Sequence, residues 1–167
     1  MRQAERLAGV GRGVVWLAAA KKIVMAETKY LSGKVVKWSL PVISGRPGPD
    51  APVLKRLMLA QGELAQIHDA DEGVHYMAVI EARAGCVRGN HYHKVKRERI
   101  YVLRGELLVV VEDVQTKERA SVPVQTGDLV LIPTGIAHAL QTVQAGVAIE
   151  FGQARFDAAD IYPYPLV

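Results

Sequence analysis

Two histidines and a glutamate that could share a metal ion lie close together in the chain, at His91, His93 and Glu98. Side chains alternate between the two faces of a strand, so His91 and His93 point to one side and Tyr92 to the other. A tight turn through residues 94–97 would bring Glu98 beside them. Imidazole nitrogens and a carboxylate oxygen suit Zn, Fe(II), Mn, Ni or Cu, and three such ligands leave coordination positions open for water or substrate.

A second stretch, residues 127–142, offers a fourth ligand. An apolar strand there runs into Pro133 and Gly135 and then reaches His138. Proline and glycine favour a turn, after which His138 re-enters the core. We therefore expect one divalent transition metal ion (Fe, Mn, Ni, Zn or Cu) on His91, His93, Glu98 and His138.

Both stretches resemble the two sequence motifs of the cupin superfamily. The first motif fixes two glycines, two histidines and a glutamate at set spacings, and the second fixes a glycine, a proline, a glycine, a histidine and an asparagine. Nine of these positions match: Gly85, His91, His93, Glu98, Gly105, Gly127, Pro133, Gly135 and His138. Thr142 replaces the asparagine, which is not a metal ligand in the family.

The resemblance implies an all-β fold, a cupin-type jelly-roll β-barrel (double-stranded β-helix) with the metal inside near one mouth. Composition agrees with this class, because short valine-rich runs recur between glycine, proline and aspartate turns. The 167 residues suit one domain. Cys86 is the only cysteine, so an internal disulfide is impossible, and a reducing cytoplasm fits.

The predicted organisation has three parts. Residues 1–33 form an N-terminal extension with a candidate helix, residues 34–156 form the cupin barrel, and residues 157–167 form an extended tail. The extension holds an apolar run at 14–20 that mimics a secretory signal but is far too short to span a bilayer. Within the barrel, we expect strands at 137–142 and 147–156, separated by a turn at 144–146.

The positive net charge is concentrated near the N-terminus. The chain carries +4 overall, but residues 1–37 hold eight lysines and arginines against two glutamates, so the remainder is slightly acidic. We therefore expect neither a nucleic-acid partner nor a membrane partner. The basic run at 94–99 reads as a solvated turn and strand face; a weaker alternative is a docking patch for phosphate or carboxylate.

Candidate substrate contacts flank the metal motif. In the strand expected at 74–82, one face carries His75, Met77 and Glu81, although the pattern alone does not fix which face looks inward. Ile100 and Val102 follow Glu98 on the ligand side and predict an apolar wall, which suits a small organic ligand.

Three classes of function are compatible with these features. A metal-dependent isomerase or epimerase and a metal-dependent dioxygenase are nearly level, each acting on a small organic or sugar-like molecule. A non-catalytic module that senses a metal or small ligand is the alternative. The string RGNHYHK is similar to cupins of nucleotide-sugar modification and polysaccharide synthesis, which modestly favours the isomerase class.

A homodimer is also expected. The side chains of Tyr101 and Leu103 form an apolar strand face that points away from the ligands, and the terminal segments before Val35 and after Asp160 are apolar enough to need cover. The tail could instead fold back on its own barrel.

Overall fold

The structure, a computed structural model, describes residues 23–167, and this part of the chain is almost entirely β. None of its helices is long and apolar enough to cross a membrane. The strands are β1 (Ala26–Tyr30), β2 (Val35–Ser39), β3 (Val42–Ser44), β4 (Lys55–Leu59), β5 (Gly62–Gln66), β6 (Tyr76–Ala82), β7 (Val87–Tyr92), β8 (Glu98–Asp113), β9 (Arg119–Gln125), β10 (Asp128–Ile132), β11 (Ile136–Gly152) and β12 (Tyr162–Pro163). A short 3-10 helix, Ala158–Asp160, precedes β12.

Nine strands form one folded sheet around the antiparallel pair β8 and β11. The order is β1-β2-β10-β8-β11-β7-β12, and β6 and β9 pair with β11 and β8 respectively. The first part of β8 pairs with β10 and its second part with β9, while the first part of β11 pairs with β7 and its second part with β6. The two long strands therefore belong to both halves of a jelly roll.

A glycine pair marks the point where the long strands pass from one half to the other. Gly105 has a φ of +98°, which L side chains rarely adopt, and a Cβ on Gly146 would lie 1.8 Å from the carbonyl oxygen of Arg104. The β8–β11 register shifts three times between Thr142 and Ala148, around this point. Irregular pairing of this kind bends strands. It allows the sheet to fold back over itself.

The space between the two halves is filled by aliphatic side chains. Val35, Val109, Val122 and Val130 are completely buried there, and Ile100 belongs to the same cluster. Burying each such side chain contributes about 1.5–3 kcal/mol relative to leaving it exposed. The interior is therefore a packed core rather than an open funnel.

Two smaller clusters cover the outer faces. A three-stranded sheet, β3-β4-β5, stands over a cluster around Tyr101, Leu129 and Phe151. On the opposite half, Tyr164 and Leu166 of the C-terminal tail pack on a cluster with Val110, Ala137 and Ala139. The tail thus folds back on its own barrel.

The predicted fold class is confirmed, with three differences of detail. Residues 26–30, assigned to the N-terminal extension, form β1 because they pair with β2. The expected turn at 144–146 is wrong, since β11 runs through it as an irregular stretch against β8. The tail carries a two-residue edge strand. The apolar run at 14–20 and the possible helix lie outside the described residues.

Candidate metal centre

The structure brings the four predicted ligands together. His91 is in β7, His93 directly follows that strand, Glu98 begins β8, and His138 lies near the start of β11. One nitrogen or oxygen atom from each residue lies within 4.8 Å of the others, and three of the four side chains are buried. The cluster supplies three imidazole nitrogens and one carboxylate, a donor set that borderline divalent metals favour.

A bulge between β7 and β11 aims His138 into the cluster. His138 pairs with His91, but the next residue, Ala139, pairs with Gly89, so the register shifts between them. Gly89 has a φ of +87°, and a Cβ there would lie 2.6 Å from the carbonyl oxygen of His138. Only glycine permits this close approach. The ring centroids of His91 and His138 are consequently 4.7 Å apart.

Glu98 lies between two imidazoles. Its Oε1 is 3.1 Å from Nε2 of His93, and its Oε2 is 2.9 Å from Nε2 of His138. Burial alone would raise the pKa of Glu98, but His138, His93 and the ammonium of Lys96 outweigh burial and hold this pKa well below its usual range. Glu98 is therefore an anionic group at neutral pH.

The other ring nitrogen of His93 shows that these residues fit a metal ion. Nδ1 of His93 is 2.6 Å from the carbonyl oxygen of Asp160. Because a carbonyl can only accept, Nδ1 carries the proton, and in the neutral ring the lone pair of Nε2 faces the Glu98 carboxylate. This buried Nε2 has no hydrogen-bond partner within residues 23–167. A cation between imidazole and carboxylate would satisfy both groups.

The histidines differ in their acidity. Burial, together with the neighbouring rings of His138 and His93, lowers the pKa of His91 to about 4. Burial also acts to lower the pKa of His93, but the Glu98 carboxylate and the Asp160 carbonyl outweigh it and raise this pKa. At neutral pH His91 is consequently an unprotonated ring, the form that binds metals.

A buried ion-pair chain extends from the cluster, and sequence reasoning missed it. Nζ of Lys96 lies 2.8 Å from Oε1 of Glu98 and also contacts the carboxylate of Glu150 on β11. The same ammonium lies 4.1 Å from the ring centroid of Tyr76. In the sequence, the only sign of this pair was that Glu150 is the single charged residue in the apolar run 147–151.

The basic run at 94–99 is not the solvated face that the sequence indicated. Lys96 is buried because it pairs with Glu98 and Glu150, and Arg97 and Arg99 both pair with Glu72. Lys94 remains exposed. The turn is therefore tied to the barrel by its basic side chains, and most of these charges are already neutralised by carboxylates.

The predicted substrate contacts do not line an accessible surface beside the cluster. Met77 and Glu81 are exposed on the outer face of β6, since the alternate residue Ile80 faces the core, and His75 is exposed just before that strand. Ile100 and Val102 are each 1% exposed within the barrel core. They pack against other aliphatic side chains rather than forming an open wall.

Comparison with known proteins identifies the family of the chain. The family model described as polysaccharide biosynthesis C-terminal domain matches residues 60–155, more than half of the chain. The matched range contains all four residues of the cluster, together with Lys96 and Glu150. Among curated proteins, none matches this sequence.

Several solved structures share the fold. A dTDP-4-dehydrorhamnose 3,5-epimerase from Sulfolobus tokodaii is 18% identical, with a TM-score of 0.63 over 81% of this chain and 78% of that chain. A dTDP-6-deoxy-D-glucose-3,5-epimerase from Legionella pneumophila is 14% identical, with a TM-score of 0.65 over 84% and 77%. A 3,4-ketoisomerase from Helicobacter canadensis is 12% identical, with a TM-score of 0.57 over 65% and 84%. At these identities the likeness concerns the fold.

Proposed function

Since the chain belongs to the polysaccharide biosynthesis C-terminal domain family, we propose that it is a metal-dependent epimerase or isomerase of a keto sugar. The similar folds of sugar epimerases and a ketoisomerase support the substrate class. The observation that carries the proposal is the position of Glu150. Its carboxylate, the proposed proton acceptor, contacts Lys96, and Lys96 in turn contacts Glu98 of the four-residue cluster.

His91, His93, Glu98 and His138 would hold the ion. When bound there, a divalent metal acts as a Lewis acid that polarises a carbonyl group and makes the hydrogen on the adjacent carbon more acidic. The chain itself must then supply a group that removes this proton and returns it, either to the other face of the same carbon or to a neighbouring position.

Glu150 has the properties of that group. Its side chain is 17% exposed, so it remains accessible at the edge of the buried cluster. Burial and the nearby negative charge of Glu98 raise the pKa of Glu150, despite the opposing effect of Lys96. A carboxyl group whose pKa moves toward neutrality is a better general acid and base at physiological pH.

Lys96 holds Glu150 in place and stays charged. Burial acts to lower the pKa of Lys96, but Glu98 and Glu150 outweigh burial and raise it. The ammonium therefore bridges the carboxylate of a metal ligand and that of the proposed base. This bridge fixes the distance between the metal-binding side chains and the proton acceptor.

The proton acceptor favours an isomerase over a dioxygenase. An oxygenase requires open positions for a chelating substrate and O2, which the cluster alone would provide. The Lys96–Glu150 pair adds a group for proton transfer that this chemistry does not need.

Hydrogen exchange at carbon tests the proposal. The metal-loaded protein is incubated with a panel of 4-keto-6-deoxy sugar nucleotides in D2O, and proton NMR follows deuterium entry next to the carbonyl. We expect exchange with at least one substrate, its loss in Glu150→Gln, and its retention in Glu106→Gln, which changes an exposed glutamate.

Two results would contradict the proposal. Oxygen uptake without deuterium entry would indicate a dioxygenase. Saturable binding of a sugar, with neither exchange nor oxygen uptake, would indicate a binding module.

A further inference from the structure

A carboxylate from the C-terminal tail lies beneath the turn that connects two proposed metal ligands. Oδ1 of Asp160 accepts hydrogen bonds from the backbone N–H groups of Lys94, at 2.8 Å, and Val95, at 3.1 Å. Oδ2 accepts from Val95, at 3.2 Å, and from Lys96, at 2.9 Å. One side chain thus satisfies three successive amides of the turn.

The backbone of Asp160 also contacts a ligand directly. Its carbonyl oxygen accepts the hydrogen bond from Nδ1 of His93 at 2.6 Å, and the residue as a whole is buried. A hydrogen bond to the remote nitrogen of a ligating imidazole fixes the ring's orientation and tautomer and makes Nε2 a stronger donor to a metal.

We propose that Asp160 is a positioning residue of the metal centre, acting on His93 through its carbonyl and on Glu98 through the turn. This inference rests on the metal site of the proposed function. Residues 94–97 separate the two ligands, so a change in the path of this turn moves His93 relative to Glu98. Asp160 joins His93 and the first three residues of that path to one buried point.

Asp160 is itself held from both directions along the chain. On its N-terminal side, the carboxylate of Asp157 accepts a hydrogen bond from the N–H of Ala159, which caps the short 3-10 helix. On its C-terminal side, the ring of Tyr162 stacks on that of Tyr92, with 5.1 Å between centroids. Asp160 is therefore held in place by contacts in addition to those that it makes with His93 and the turn.

The end of the tail is also hydrogen-bonded to the barrel. The side-chain oxygen of Asn90 accepts the N–H groups of Leu166, at 2.8 Å, and Val167, at 3.2 Å, and the backbone carbonyl of Asn90 accepts the N–H of Tyr164 at 2.7 Å. Asn90 immediately precedes the first ligand, His91. The tail thus contacts the ligand-bearing segment before and after the histidine pair.

The chemistry of the contact requires a carboxylate. Both carboxylate oxygens accept hydrogen bonds from backbone N–H groups. The side chain of an asparagine has only one oxygen that can accept, and its NH2 group would face the remaining N–H donors of the turn. Hydrogen bonds from N–H groups to a charged acceptor are also stronger than those to a neutral one. Asp160→Asn should therefore weaken the turn less than Asp160→Ala but still measurably.

Titration of the metal-free full-length protein with Co²⁺ tests the proposal, with visible absorption bands reporting the ligand geometry. We expect Asp160→Ala to weaken Co²⁺ binding about 10- to 100-fold and to alter the bands, as loss of outer-shell partners does at metal sites. Asp160→Asn should fall between this variant and the unmodified protein. Asp50→Ala is the control, because it removes an exposed carboxylate that lies outside both the tail and the metal motifs, and it should bind Co²⁺ normally.

The outcomes separate this inference from the proposed function. A folded Asp160→Ala protein with unchanged Co²⁺ affinity and spectrum would overturn the positioning role of Asp160. If the alanine variant does not fold, the same comparison is made with Asp160→Asn. If the unmodified protein binds no Co²⁺, the metal-dependent function fails. The role of Asp160 is then decided by NMR of the metal-free chain: faster exchange of the 94–96 amides and loss of the His93 Nδ1–H signal in Asp160→Ala support positioning, and unchanged signals refute it.

Discussion

Glu98 and His138 meet at 2.9 Å although each lies near the start of a long strand, and the two strands run antiparallel to one another. In a flat sheet, the starts of antiparallel partners would be far apart. Here His138 pairs with Val111 and the residue after Glu98 pairs with Phe151, so the two side chains approach only because the sheet folds over at Gly105 and Gly146. The candidate site thus depends on the folding of the sheet over itself.

Gly146→Ala is therefore expected to damage the fold and the cluster together. Its Cβ would meet the Arg104 carbonyl at 1.8 Å, a backbone atom that cannot move aside without shifting β8. We expect a loss of several kcal/mol of the free energy of unfolding, measured in urea. Gly48→Ala is the control, since its Cβ would meet nothing within 4 Å, and equal stability of the two variants would contradict the argument.

Metal content gives the second prediction. Purified protein should carry close to one divalent transition metal per chain by elemental analysis, and the double substitution His93→Ala with His138→Ala should abolish it. Both histidines are buried in the cluster, whereas His75 is exposed before β6. His75→Ala should leave the metal content unchanged; retention of metal by the double variant would refute the assignment.

Stability should depend on Asp113 in a defined pH range. Lys34 and the N–H groups of Gln115 and Thr116 bind the Asp113 carboxylate and lower the pKa of Asp113 to about 2. Because the folded pKa lies below the unfolded value, the stabilisation is complete above about pH 4 and is lost as the pH falls toward 2.

The measurement is urea unfolding of Asp113→Asn at pH 7 and pH 2.5. We expect a loss of about 1–2 kcal/mol at pH 7, reduced because Lys34 is half exposed, and a much smaller loss at pH 2.5. Asp50→Asn, an exposed site, should show neither effect. An equal loss at both pH values would exclude the carboxylate charge as the cause.

The homodimer remains a prediction, and the structure limits which surfaces could form its interface. The tail covers its own barrel, so it is not free to cover a partner. Among residues 23–167, an exposed apolar face remains where Val79 pairs with Ile149, flanked by the exposed side chains of Met77 and Leu103. This face would be buried in a symmetric dimer.

Light scattering of full-length Val79→Lys tests this surface. We expect the variant to be monomeric at micromolar concentration, whereas Val143→Lys, a comparably exposed valine outside that face, should remain dimeric. A monomeric unmodified protein would refute the dimer.

The four candidate ligands were predictable because their positions depend on short-range rules. Strand alternation places His91 and His93 together, and Pro133 and Gly135 set the turn before His138. The resemblance to cupins then predicted that the two motifs, which are far apart in sequence, lie together in the fold. The role of these residues as metal ligands stays a prediction.

Long-range contacts were beyond the same rules. Lys96 looks like a surface residue until Glu150 of β11 is brought beside it, and no local pattern connects Asp160 to residues 94–96. The inward face of β6 was equally undetermined, because Met77 and Val79 on one face are as apolar as Ala78 and Ile80 on the other. Only the packing of β6 against β11 decides between the two.

The filled interior has a consequence for any sugar that reaches the cluster. Ile100, the next residue after Glu98 on the same face of β8, is 1% exposed, so the floor of the site lies immediately behind the carboxylate. Because the interior behind Glu98 is filled, a molecule that reaches the cluster cannot enter the barrel, and most of its surface must rest on groups around the rim. Discrimination among sugars should therefore depend on rim segments, which can vary without disturbing the barrel that holds the reacting groups.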